Sequence, residues 1–120
     1  MYRTSRGRDG ELIAKKRLEK LGYKILETNY RTRGGEIDIV AMEGNTVVFV
    51  EVKTRSRGGL MGAVEAVDSR KIKRISEAAL QYITDKDLHR MTVRFDVVAV
   101  DVSRFRPKII LIKNAFESAI

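Results

Sequence analysis

Glu36, Asp38, Glu51 and Lys53 stand in two segments dominated by Ile, Val, Ala and Phe, on either side of a Gly44-Asn45 pair. That pair is a two-residue hairpin signal, with glycine at the first central position as a type II′ turn prefers. If Glu43 pairs with Thr46, the same register puts Asp38 opposite Glu51 and Glu36 opposite Lys53. Side chains alternate along a strand, so Glu36, Asp38, Val40 and Met42 share one face with Val47, Phe49, Glu51 and Lys53. Ile37, Ile39, Ala41, Val48, Val50 and Val52 take the other face. Two directly opposed carboxylates about 5.5 Å apart repel by about 3 kcal/mol at an effective dielectric of about 20. Between strands covered on both sides, such a pair needs a compensating charge.

A divalent cation would supply it. The chain has no cysteine and a single histidine, His89, which excludes thiolate and zinc clusters and leaves ligation by oxygen. Oxygen ligands with open positions suit Mg²⁺, or Mn²⁺, beside a phosphate. Lys53, two residues past Glu51 on the same face, could then hold or deprotonate an attacking water, or stabilise charge developing at the phosphate. A competing arrangement needs no metal: Lys53 neutralises Glu36, and Asp38 with Glu51 belongs to an ion network at the end of the sheet.

Several elements must position these residues. Residues 1–8 read as a flexible basic arm and 9–120 as one domain, the size expected of 120 residues. Asp9 is a candidate N-cap for a helix over 11–21, where Glu11, Ala14, Leu18 and Leu21 recur at helical spacing and Gly22 supplies the stop. Strands are predicted over 23–30, 36–42 and 46–53, followed by a Gly- and Arg-rich loop over 54–62. A second helix fits 68–84, with Ile72, Ile75, Ala79 and Ile83 on its apolar stripe and Arg70, Lys73, Arg74 and Gln81 facing away. Strands over 92–102 and 108–113, split by Arg106-Pro107, complete the order α-β-β-β-α-β-β. The expected fold is α/β, a mixed central sheet flanked by helices.

Lys and Arg outnumber Asp and Glu by 24 to 16, giving a formal charge of +8 and a pI near 10.0. Nucleic acid is the first partner such charge suggests, and an anionic membrane surface the second. The membrane reading lacks a basic amphipathic terminal helix. No apolar run approaches the roughly 20 residues of a membrane span, and no signal segment is evident, so the expected location is the cytoplasm. Arg31, Arg33, Arg55 and Arg57 flank the hairpin charges in two Gly-containing loops, where phosphate would arrive, and Lys71, Lys73 and Arg74 add further contacts. Loop solubility is the competing explanation for any one of them. Glu11 lies near its helix's apolar stripe, which suits either the site or a favourable interaction with the helix N-terminus, worth about 0.3–1 kcal/mol. Tyr82 is expected in the core, Gln81 in the core or behind the site, and His89 in a loop. Asp96, inside an apolar strand, reads as structural, capping or hydrogen-bonding a loop, and not as catalytic.

GGEIDIVA followed by VVFVEVKTR resembles the PD-(D/E)xK nuclease motif, in which an acidic residue on one strand precedes an E-x-K strand. The wider pattern resembles the YraN-like family of bacterial proteins, which are similar to archaeal Holliday-junction resolvases. It includes Gly10-Glu11 with Ala14, Leu21-Gly22-Tyr23, Asn29-Tyr30-Arg31, Lys71, Lys73, Ala79, Tyr82 and the Arg94-to-Val98 strand. Ile37 stands where the motif's name has proline. The resemblance implies a restriction-endonuclease-like fold and a Mg²⁺- or Mn²⁺-dependent DNA endonuclease acting on branched or duplex DNA. It implies that Asp38 and Glu51 bind metal with the Val52 carbonyl, that Lys53 is the general base or charge stabiliser, and that Glu11 is an accessory acid. Symmetric cutting of a four-way junction would also require a homodimer. Two other readings stay open: a nucleic-acid-binding protein that does not cut, and a basic protein-interaction module.

Overall fold

The computed structural model describes residues 5–55, 67–102 and 105–120. Its elements are α1 (Ser5–Lys20), β1 (Lys24–Arg31), β2 (Glu36–Glu43), β3 (Thr46–Arg55), α2 (Ser69–Asp85), β4 (Thr92–Asp101) and β5 (Lys108–Ile112). This is the expected order, with helix and strand ends mostly within a residue or two of the sequence reading.

The start of α1 differs. The helix begins at Ser5, so Asp9 lies inside it and is not its cap; residues 1–4 of the expected arm lie outside the described residues. Ala14 and Leu18 are buried as their spacing requires, but Leu21 is 53% exposed. The chain has already left the helix there: Gly22 N–H donates to the Glu19 carbonyl at 3.0 Å and Tyr23 N–H to that of Leu18 at 2.9 Å. This is a Schellman stop, and it turns Tyr23 inward in place of Leu21. Asp68 caps α2 as a short polar side chain does, accepting the Lys71 N–H at 2.9 Å.

The strands form one sheet in the order β1-β2-β3-β4-β5. Only β3–β4 is parallel, with α2 in the crossover; the other neighbours are antiparallel. The β2–β3 turn is the expected one, with Gly44 at φ +59° and Glu43 opposite Thr46. Both faces are covered. On one, Ala14, Leu18 and Tyr23 pack against Ile39, Ala41, Val48, Val50, Val98 and Val100. On the other, Ile75, Ala78, Ala79 and Tyr82 of α2 pack against Ile37, Val40, Val47, Phe49 and Phe95. Rings run across this second layer, Tyr30–Tyr82, Phe49–Tyr82, Phe49–Phe95 and Phe95–Phe116, with centroids 5.1–5.9 Å apart.

Ile37 corrects the strict alternation expected for β2. It packs toward α2 with Val40, while Ile39 packs toward α1, so the strand changes face at Asp38. The edge strand β1 has a matching irregularity, because Asn29 adopts φ +54° between the pairs Thr28↔Ile39 and Tyr30↔Ile37. The β2–β3 ladder ends at Ile39↔Val50. Asp38 is therefore not a ladder partner of Glu51, nor Glu36 of Lys53. Glu36 lies opposite Arg31 of β1 and pairs with it at 3.3 Å.

Two close approaches seat the helices on this end of the sheet. A Cβ at Gly10 would meet the Thr54 hydroxyl, so the glycine lets α1 descend onto the end of β3 and brings Glu11 with it. A Cβ at Gly35 would run into the Arg74 carbonyl, so α2 rests on the β1–β2 loop only because that position lacks a side chain.

Candidate active site

Glu51 is 3% exposed yet carries no hydroxyl or backbone donor among the described contacts. Its Oε2 faces two ammonium groups, Lys53 Nζ at 3.4 Å and Lys71 Nζ at 3.3 Å. Lys53 arrives from two residues along the same strand, and Lys71 from the first turn of α2. On the far side β4 offers only Val97. Burial works against the Lys71 charge, but the Glu51 carboxylate outweighs it, with Asp38 and Glu36 behind, and raises Lys71 above the ordinary lysine value.

Asp38 meets Glu51 by leaving the ladder. Its Oδ2 accepts the Val52 N–H at 2.8 Å, the side chain standing where the next strand partner would be. The expected grouping of Asp38 with Glu51 is thus present, but through a break in β2 and not through direct opposition. Burial first, then the Glu51 carboxylate within hydrogen-bonding reach, push Asp38 up to about 8; the Val52 N–H works the other way and Glu11 adds to the rise. Asp38 therefore keeps its proton into the neutral range beside the Glu51 carboxylate.

Glu11 comes from the second turn of α1. No acidic residue occupies that helix's first turn, so the helix-terminus explanation for Glu11 loses its geometry. Its carboxylate acts on Asp38, and it lines an open cleft of about 460 Å³ together with Lys15, Thr28, Asn29 and Arg31. Val52 holds Asp38 through its N–H, and its side chain packs toward α1. Lys53 pairs with Glu51 and not with Glu36, which corrects the metal-free arrangement weighed from sequence.

The outlying cations divide. Arg31 is 68% exposed beside the Glu11 cleft, and Arg33 is exposed in the β1–β2 loop. Arg55 continues β3 and donates to the Thr54 carbonyl at 3.0 Å. Thr54 and Arg55 are strand residues and not loop; the rest of the expected loop, Arg57 included, lies outside the described residues. Lys73 is exposed on α2. Arg74 lines a cleft of about 230 Å³ with Lys53, Asp68, Arg70 and Lys71. Arg70 was assigned from sequence only to the solvent face of α2; its position one residue before Lys71 and four before Arg74 was the available signal. Tyr82 is core and Gln81 an exposed partner of Asp85.

Asp96 has the loop-bonding role expected of it. It is fully buried and accepts from Arg94 at 2.8 and 2.9 Å, from the Tyr23 hydroxyl at 3.0 Å and from the Asn114 N–H at 3.0 Å. Arg94 also donates to Glu43 at 2.8 Å, which Lys113 reaches at the same distance. This network ties the α1–β1 connection, the hairpin turn, β4 and the C-terminal segment together at the opposite end of β2 from Asp38. Arg94 and Asp96 two apart in an apolar strand was a signal for it that sequence reading left half used. A cavity of about 550 Å³ lies between α2, β4 and the C-terminal segment and is lined by none of the candidate residues.

Among the described residues no group of three or more acidic or histidine side chains is arranged to enclose a metal alone. Asp38 and Glu51 form an open pair of hard oxygen donors. Such a pair fits Mg²⁺, which keeps much of its water and is held by one or two carboxylates together with substrate phosphate. No helix among the described residues is long and apolar enough to cross a membrane.

The family model described as "Uncharacterised protein family UPF0102" matches residues 10–100, a span from the start of the Glu11 turn to the end of β4. The chain is 47% identical over 119 residues to a UPF0102 protein of Geobacter metallireducens, covering 99% of this chain and 98% of that one. It is 48% identical over 111 residues to one from Geobacter sulfurreducens, covering 92% and 87%. A third, from Syntrophus aciditrophicus, is 50% identical over 114 residues, covering 94% and 89%. Fold and family support a relationship to the PD-(D/E)xK nuclease-like superfamily, a fold group associated with nucleic acid. By that span and those identities, the chain belongs to UPF0102, the YraN-like family that its D…E-x-K strands resemble.

Proposed function

We propose that this protein is a cytoplasmic, divalent-metal-dependent endonuclease that hydrolyses phosphodiester bonds in DNA, branched DNA included. The observation that carries the reading is the convergence of Asp38 and Glu51 in a nearly dry place, with Lys53 on the same carboxylate. Asp38 keeps a proton there, where a cation of higher charge would fit. Bound there, Mg²⁺ or Mn²⁺ would activate water and neutralise charge at the phosphate. Asp38, Glu51 and the Val52 carbonyl would hold it, and the Val52 N–H keeps Asp38 aimed. Lys53 Nζ, which lies on Glu51 at 3.4 Å, would orient the attacking water or stabilise charge on the phosphate oxygens. Glu11, across the break in β2, is positioned to accept a hydrogen bond from water on the α1 side. Arg31, Arg33 and Arg55 surround the site with phosphate-attracting charge.

One observation favours a second reading, a nucleic-acid-binding protein that does not cut: Glu51 already has two ammonium partners and is satisfied without metal. Single-turnover cutting of labelled branched and linear duplexes in Mg²⁺ or Mn²⁺ separates the two. Lys53→Ala should bind DNA nearly as the parent does and cut at least about 10²-fold more slowly, the low end for a positioned acid, base or charge stabiliser. Glu51→Gln should lose cutting as well. Equal rates in all three proteins would remove the site, and tight binding without cutting in the parent would leave the second reading standing.

A further inference from the structure

The cleft at the start of α2 has an unusual wall. Lys53 comes from β3; Arg70, Lys71 and Arg74 come from one side of the helix, and Lys73, outside that side, takes no part. Among the described residues Asp68 is the one carboxylate in the wall, and it is engaged by the Lys71 N–H as the helix cap. The cap thus serves the Lys71 N–H among the helix's free N–H groups. Glu51 pairs with both lysines from behind and offsets one of their two charges. Among the described residues, Arg70 and Arg74 have no carboxylate partner, and they stand four residues apart, where like charges work against the helix. Two unpaired guanidinium groups facing one small cleft are an arrangement that an anion relieves. The volume, about 230 Å³, holds a phosphate with several hydration waters, each of which occupies about 30 Å³. Arginine suits that guest, because its planar fork can donate two parallel hydrogen bonds to one phosphate.

We propose that the cleft walled by Lys53, Arg70, Lys71 and Arg74 is a phosphate pocket that seats one backbone phosphate of a nucleic-acid strand beside Glu51. Its contribution to cutting rests on the nuclease reading; its affinity for phosphate does not. Lys71 is the shared cation. It lines the pocket while its Nζ lies on Glu51, so an arriving phosphate competes for it and loosens the Glu51 carboxylate. Arg70 and Arg74 are the groups that hold the phosphate without touching Glu51.

The test uses the full chain in metal-free buffer, with inorganic phosphate as the first probe and a single-stranded oligonucleotide as the second. Amide resonances of residues 69–74 should shift saturably with phosphate. The double variant Arg70→Gln/Arg74→Gln should weaken that binding at least tenfold and weaken the oligonucleotide too, with circular dichroism unchanged. Lys20→Gln, an exposed cation at the far end of α1, should change neither. No saturable shift, or equal affinity in all three proteins, would overturn the pocket. Weakened phosphate binding with undiminished oligonucleotide binding would overturn its role in seating a strand. If the pocket binds as expected while the parent cuts no DNA, the nuclease reading fails and the pocket stands.

Discussion

Replacing Asp38 with asparagine should stabilise the protein near neutral pH in metal-free buffer, although it removes a charged group from the candidate active site. Burial and the Glu51 carboxylate hold Asp38 up at about 8, against 3.8 for an unhindered aspartate. The folded protein therefore keeps a proton that the unfolded chain releases. A carboxyl raised in this way contributes stability that is complete below about pH 4 and is lost as the pH climbs toward 8. One proton sets the slope at no more than about 1.4 kcal/mol per pH unit, so by pH 7 the parent has given up roughly 4 kcal/mol as an upper limit. Asparagine avoids that loss, still offers an oxygen to the Val52 N–H and can donate to Glu51; its weaker bonds cost about 1 kcal/mol. The net gain at pH 7 is about 2–3 kcal/mol, worth roughly 4 °C in unfolding midpoint for each kcal/mol in a domain of this size. At pH 5 it shrinks to a few tenths of a kcal/mol by the same slope. Urea unfolding of both proteins at pH 5, 6, 7 and 8, with chelator and then with Mn²⁺, measures this. Mn²⁺ should raise the parent at pH 7 and 8 and leave the variant where it was. An Asp38→Asn protein less stable than the parent at pH 7, or two parallel pH curves, would refute the raised Asp38 carboxyl and make the pair an ordinary ion network.

Gly35→Ala should cost about 1–3 kcal/mol, the usual penalty for overpacking, because its Cβ would meet the backbone of Arg74 and nothing there can rotate away; chemical denaturation reads it directly. Arg94→Ala leaves the fully buried Asp96 without its guanidinium and should cost about 3–5 kcal/mol. By contrast Lys113→Ala, an exposed partner of Glu43 in the same network, should cost under about 1 kcal/mol. DNA affinity should fall with salt at a slope of about −0.9 in log K for each phosphate neutralised, and a salt-independent affinity would remove the electrostatic basis for a DNA partner.

The hairpin turn and the apolar stripe of α2 were legible because each depends on residues close in sequence. So was the gathering of Asp38, Glu51 and Lys53 at one end of two strands. What alternation could not reveal was the change of face at Asp38, since a single displaced residue leaves the hydrophobic pattern of β2 nearly intact. The left-handed Asn29 that accompanies it is one polar residue in an edge strand, with no pattern of its own. Leu21 was misplaced because spacing alone cannot tell the last helical turn from the stop that follows. Arg70 looked like solvent-facing charge until Lys53 arrived from another element. The Arg94–Asp96 network escaped for the same reason, its partners Tyr23, Glu43 and Asn114 being far away in sequence.

The parallel pairing of β3 with β4 also bears on how the protein reaches this structure. Strands β1 to β3 form a meander of near neighbours, while Thr46 must find Thr92, forty-six residues further along, before the sheet can close. Contacts between near neighbours form sooner than distant ones. During synthesis the meander can therefore pair while α2 and β4 are still unmade. In that interval the free edge of β3 carries the apolar run from Val47 to Val50, and Glu51 lacks the lysine that α2 later delivers. The break that sets Asp38 beside Glu51 then belongs to the earliest part to fold, and the segment from α2 to β4 covers a site whose acidic half is already in place. A chain stalled before residue 92 would expose an unpaired, apolar strand edge, the kind of surface that recruits other chains.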